Sequence, residues 1–175
     1  MPTVLGRFGP SANLIDPLNF GMAFTLDPME ANASMVIGTA NRAVYARCLN
    51  GAVITKVRVN VIVSAGNISV AMYRNTGVGP SATMGTRIAT SGSVVCPAAG
   101  VADIALGATV TVLPGDWLAV SVSDATAALA AQGTSALATT RAAGRMYYQD
   151  TAHPLPATPV PNAGIVGPIL LMGVA

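Results

Sequence analysis

The 175-residue chain is 52% hydrophobic and only 9% charged, with a formal net charge of +2, against roughly 25% charged residues in an ordinary soluble domain. These figures exclude a disordered chain, which needs low hydrophobicity and high charge, and with one Lys and no basic cluster they leave nucleic-acid binding without an electrostatic footprint. A membrane-inserted helical protein is excluded too, because the longest clean apolar stretch, Gly167 to Ala175, falls far short of the ~18 residues a spanning helix needs.

Residues 1–40 differ from the rest. Pro2, Pro10, Pro17 and Pro28 interrupt scattered apolar residues, and neither a period of 2 nor one of 3.6 persists. The stretch reads as an extended N-terminal arm whose anchoring side chains are Phe8, Leu14, Phe20 and Phe24. Asp27-Pro28-Met29-Glu30 can open one helical turn, with Asp27 as N-cap. The first residues, MPTVLGRFGPSANL, lack the ordered basic start, apolar core and cleavage site of a signal peptide, so synthesis in a reducing cytosol is expected.

Residues 41–175 read as a β-sandwich domain with a Pro-rich C-terminal segment over 151–175. Ala43 to Leu49 is a short strand. Val53 to Ser64 alternates, placing Val53, Thr55, Val57, Val59, Val61 and Val63 on one face and Ile54, Lys56, Arg58, Asn60 and Ile62 on the other. Ala65-Gly66-Asn67 turns the chain into a strand over Ile68 to Arg74. Thr86 to Cys96 is a strand broken or bulged at Gly92. Val101–Leu106 and Thr109–Leu113 are two short strands. Leu113-Pro114-Gly115-Asp116 is a β-turn of type II composition leading directly into Trp117 to Ser123. The Ala-rich run from Thr126 to Thr140 holds Gly133 and several Thr and Ser, which favours loop and strand over helix. Arg145 to Gln149 is a strand, the four prolines of His153 to Pro161 force an extended path, and Ile165 to Val174, interrupted by Pro168, is a final strand at a sheet edge or a contact. Many short strands with Gly and Pro turns predict an all-β, antiparallel β-sandwich.

The runs NRAVYARC, ITKVRVNVIVSAGNISVAMYR, RIATSGSVVCPAAG and TVTVLPGDWLAVSVS, from Asn41 to about Ser123, resemble jelly-roll domains in virion proteins of tailed bacteriophages. Such domains occur in tail fibres, minor tail proteins and head decorations. The resemblance covers about half of the chain and leaves out the arm and the Pro-rich end. It implies a homo-oligomer, a trimer foremost, fixed to the capsid or tail of a virion, and it implies no catalytic residue or cofactor.

The ionisable residues point the same way. There is one His, one Lys and seven carboxylates. His153 sits in HPLP with no nucleophile elbow elsewhere. Cys48, Cys96 and His153 lack metal-ligand spacing, and Asp103, Asp116 and Asp124 share no calcium-loop motif. Two cysteines are too few for a disulfide framework; buried reduced thiols are the expectation, and a bridge needs their strands to lie side by side. Tyr73, Trp117, Tyr147 and Tyr148 are the ligand or interface aromatics, flat apolar faces with polar tips that suit either a subunit contact or a sugar ring. The alternative to a virion structural subunit is therefore a receptor- or carbohydrate-binding module of a tail fibre or tip, with host-surface glycan as partner.

Overall fold

The computed structural model describes residues 22–24, 33–36, 40–77, 83–131, 146–162 and 171–175. Among these residues lie twelve strands: β1 (Ala23–Phe24), β2 (Ala33–Val36), β3 (Arg42–Arg47), β4 (Ala52–Val63), β5 (Asn67–Thr76), β6 (Thr83–Thr90), β7 (Val94–Val95), β8 (Gly100–Val112), β9 (Trp117–Val122), β10 (Ala128–Ala131), β11 (Met146–Gln149) and β12 (Met172–Val174). They form two six-stranded antiparallel sheets packed face to face. One runs β11-β3-β9-β5-β6, with β7 continuing the β6 edge of β5. The other is built on β4, with β8 along one side and β12 and β10 sharing the other. β1 extends β12 and β2 extends β10.

The long pairings are nested. β3 pairs with β9, β4 with β8, and β5 with β6 and β7, while β5 also pairs with β9 and completes the second sheet. Successive pairings therefore fall in opposite sheets, β3–β9 and β5–β6 in one and β4–β8 in the other, as in an antiparallel β-sandwich. The core between the sheets is aliphatic. Val57, Val59 and Val61 of β4 meet Val70 and Met72 of β5 and Leu118, Val120 and Val122 of β9.

Three expectations are corrected. Val53 is exposed and Ile54 is buried, the reverse of strict alternation with Val57. The ladder shifts between Ile54 and Lys56, where the partner strand inserts Leu106 to Thr109 opposite Thr55, and each residue before the shift changes face. That insertion also explains why two expected short strands are one. Val101–Leu106 and Thr109–Leu113 are continuous in β8, joined by a bulge at Gly107 (φ 73°). Of the two placements expected for the last strand, the sheet edge is not found: β12 lies between β1 and β4. Ala23–Phe24 and Ala33–Val36, within the first 40 residues, are paired into the β4 sheet. The Asp27–Glu30 turn, Phe8, Leu14, Phe20, Pro168 and most of Thr126–Thr140 lie outside the described residues.

The turn before β9 forms as expected. Gly115 takes φ 93° and Asp116 N donates to Leu113 O at 3.0 Å. Its flanking strands do not pair with each other, however; β8 belongs to the β4 sheet and β9 to the other, so the turn is a corner between sheets.

Candidate functional site

The β3-β9-β5 sheet is buried on both faces, and all six residues of β9 are buried. Its outer face carries Ala43 and Tyr45 from β3, Ala71 and Tyr73 from β5, and Trp117 and Ala119 from β9. Over it lies the Pro-rich segment 150–162, a strap that contributes Ala152 and Leu155 to the same cluster. Proline removes backbone donors, so the strap cannot add a regular strand. It is held instead by individual bonds. Ala152 N donates to Asn41 O at 2.6 Å, Arg87 N to Ala157 O at 2.9 Å, and Asn162 N to Tyr148 O at 2.7 Å. Tyr73 Oη donates to Pro156 O at 2.7 Å, Val160 N to Gln149 Oε1 at 2.9 Å, and Arg87 Nη1 to Leu155 O. Arg42 Nε adds an ion pair with Asp150 at 2.7 Å.

Three of the four singled-out aromatics meet here. Trp117 and Tyr73 are completely buried, so neither offers a face to a sugar ring from solvent. Trp117 packs at 5.6 Å from the half-buried Tyr147, and Tyr73 packs edge-on to Tyr45, also at 5.6 Å. Trp117 Nε1 donates to Asn75 Oδ1 at 3.3 Å. Burial pushes the phenols of Tyr45 and Tyr73 far above the usual tyrosine range. Tyr148 stands apart, half-buried beneath the Arg42 guanidinium at 4.7 Å. Of the arm residues, the backbone of Phe24 lies in β1.

His153 bridges the strap to the sheet. Its Nδ1 lies 3.0 Å from Ser121 Oγ and its Nε2 2.9 Å from Ser93 Oγ. Burial lowers its pKa, offset in part by the Ser121 bond. In a hydrolytic triad the second ring nitrogen meets a carboxylate that stabilises the imidazolium. Here it meets the buried Ser121 hydroxyl, and the two serine contacts tie the strap to the sheet. Ser69, directly across from Ser121 in the ladder, is buried with no partner for its hydroxyl.

The carboxylates are dispersed. Asp103 pairs with Arg58, and that hydrogen-bonded guanidinium holds its carboxyl below the usual range. Asp116 is buried and accepts from Leu113 N (2.7 Å), Asn75 N (2.9 Å) and Arg74 Nη1 (2.5 Å). Asp124 accepts from Thr126 N and Oγ1, which lowers its pKa. These three therefore do not converge on a calcium site, and among the described residues no group of three or more His, Cys, Asp or Glu could hold a metal ion. Cys48 and Cys96 are both buried and unbonded. Burial, with Asp116 nearby, pushes the Cys48 thiol far up.

Sequence reasoning missed the Asp116 anchor, the Arg87 clamp and the Arg47 environment. Arg47 Nε donates to Gly115 O at 3.2 Å and its guanidinium lies 5.9 Å from the Trp117 ring. The Pro-Gly turn placed Asp116 at its last position, but the bonds from Asn75 and Arg74 come from a strand distant in sequence and leave no local mark. No protein-family model, curated protein or solved structure matches the chain.

Proposed function

We propose that this chain is a non-enzymatic structural subunit, a jelly-roll building block of a homo-oligomer, foremost a trimer, mounted on the capsid or tail of a tailed-phage particle through its N-terminal arm. One contrast carries the reading. Every described carboxylate is engaged in holding the fold, while large apolar side chains are left bare: Val95 is 79% exposed, Val160 70% and Val101 66%. An assembling subunit needs uncommitted apolar surface. The virion assignment rests on the resemblance of Asn41–Ser123 to phage jelly-roll domains. The burial of Trp117 and Tyr73 weighs against the glycan-binding alternative, whose best platform they were.

Sedimentation of the purified chain is expected to give a trimer; a monomer across the micromolar range overturns the oligomer. Labelling of phage particles with an antibody to the chain is expected to decorate the head or tail, and unlabelled particles overturn the virion assignment. Because β1 and β2 belong to the β4 sheet, the arm deletion to test is residues 2–21. It should abolish attachment and leave the fold intact, and retained attachment overturns the anchoring role.

A further inference from the structure

The turn between β8 and β9 borders an open hollow of about 300 Å³, lined by Arg47, Cys48, Leu49, Pro114 and Gly115. Backbone bonds hold its two walls together: Cys48 N donates to Asp116 O at 2.7 Å and Gly115 N to Cys48 O at 2.9 Å. Its polar element is the half-buried Arg47 guanidinium. Three neighbours fix that group. Nε donates to Gly115 O at 3.2 Å, the Trp117 ring lies 5.9 Å away, and Nη2 sits so close to the turn that a Cβ on residue 115 would come within 3.1 Å of it. Gly115 therefore serves twice: it takes the turn's φ of 93°, and it leaves room for the guanidinium.

The far end of the guanidinium is uncommitted. Neither Nη1 nor Nη2 has a hydrogen-bond partner among the described residues. Asp116, at the end of the same turn, is already taken: it accepts from Leu113 N, Asn75 N and Arg74 Nη1. Asp103, Asp124 and Asp150 are engaged by Arg58, Thr126 and Arg42. The charge of Arg47 thus has no counter-ion among the described residues. Two donors on a fixed planar fork match the two oxygens of a carboxylate. Around the fork stand bare apolar side chains: Leu49 is 46% exposed, Leu113 51%, and Pro114 is exposed as well. Water can satisfy the fork but leaves those side chains uncovered. An acidic side chain with large apolar neighbours satisfies both.

We infer that the Arg47 hollow docks an acidic residue of a partner protein, an Asp or Glu flanked by leucine-sized apolar residues. The carboxylate accepts from both Nη groups, and the flanking side chains cover Leu49 and Leu113. Charge complementarity selects this occupant over the described surface of a second copy, whose carboxylates are all held within their own fold. The dock does not rest on the virion reading, because the chemistry asks only for the carboxylate and its apolar flanks.

The probe is the blocked pentapeptide N-acetyl-Ala-Leu-Asp-Leu-Ala-amide, whose one charge is the Asp carboxylate, titrated into the full chain. Amide shifts of residues 47–49 and 113–116 and the fluorescence of Trp117 report its binding. Saturable shifts confined to those residues are expected. The same peptide with Asn in place of Asp should bind at least about tenfold more weakly, the scale of a charge-assisted pair of hydrogen bonds. Arg47→Gln should weaken the Asp peptide by a similar factor, and Arg47→Lys, which keeps the charge and loses the fork, by about threefold or more. Acetate at equal concentration should leave the Leu49 and Leu113 shifts unchanged. The Asn comparison is made on the native chain, so it stands whether or not Arg47→Gln folds. No saturable response up to about 10 mM overturns the inference, as does equal affinity for the Asn peptide or for a folded Arg47→Gln chain. Acetate reproducing the whole response overturns it too, reducing the hollow to a bare anion site.

Discussion

Leu155 provides the sharpest test of whether the Pro-rich strap is part of the fold or lies loosely upon it. Its side chain is 1% exposed and packs in the cluster of Tyr45, Tyr73 and Trp117. Leu155→Ala removes three buried carbons at about 0.8 kcal/mol each, or about 2.4 kcal/mol from transfer alone. A residual cavity beneath the strap brings the loss to about 3 kcal/mol, within the usual ~2–5 kcal/mol for such truncations. For a chain of this length each kcal/mol lowers Tm by about 2–4 °C, so a fall of about 6–12 °C is expected. The assay is thermal unfolding followed by circular dichroism and by fluorescence of Trp117, the one Trp of the chain, which lies beneath the strap. The control is Val160→Ala at an exposed strap position, expected to stay within about 0.5 kcal/mol. A Leu155→Ala loss below about 1 kcal/mol would refute the reasoning, since the strap would then not cover the aromatic face in solution.

Asp116→Ala should be more damaging, about 3–5 kcal/mol by denaturant midpoint, because it strands the Leu113 and Asn75 amides and the Arg74 guanidinium together; a loss under about 1 kcal/mol would show that water replaces the carboxylate. Ser69→Ala should be neutral or stabilising, since it removes a buried hydroxyl that has no partner; destabilisation beyond about 1 kcal/mol would reveal a bond the structure does not contain. His153 has a folded-state pKa below its ordinary 6.5, so the unfolded chain binds its proton more readily. Stability from this residue is therefore complete above that value and declines as pH falls through it toward the lower folded pKa. Hydrogen exchange of residues 151–157 should accelerate over that window in the native protein and not in His153→Gln, and an identical pH profile in both would exclude His153 as the cause.

The period-2 pattern of β4 was legible where its neighbours are regular. Val57, Val59 and Val61 are buried as alternation requires. It misled at Val53 and Ile54, because the shift that inverts them arises in β8, about fifty residues later, and a strand carries no mark of its partner's bulge. The Leu-Pro-Gly-Asp turn was legible from local chemistry, yet local chemistry does not say whether flanking strands pair or part, and here they enter different sheets. The proline run was legible as extended chain. Its destination over Tyr73 and Trp117 was not, since that depends on bonds such as Arg87 N to Ala157 O that join residues distant in sequence. That Tyr and Trp are apolar bodies with polar tips is side-chain chemistry, legible in any sequence. Which way those tips point is a tertiary matter: Tyr73 donates inward to the strap, and Trp117 to Asn75.

The scarcity of charge takes on a further meaning in the sheets. Between β4 and β8 the side-chain pattern alone tolerates a slip of two residues, because such a slip returns every side chain to its original face. In the observed register Arg58 lies directly across from Asp103, with Nε and Nη2 donating to the two carboxylate oxygens at 2.7 and 2.9 Å. A slip of two sets Arg58 opposite Val101 or Ala105 and leaves Asp103 without its guanidinium. As an exposed pair its contribution to stability is below about 1 kcal/mol, so its effect is on selection among registers more than on depth. Two further ion pairs among the described residues act at junctions that alternation does not encode. Arg74–Asp116 ties β5 to the corner before β9, and Arg42–Asp150 ties β3 to the start of the strap. A chain richer in charge would offer each of these residues competing partners. With seven carboxylates in 175 residues, the wrong pairings are few, and a greasy sequence made largely of interchangeable alanines and valines still specifies one arrangement of its strands.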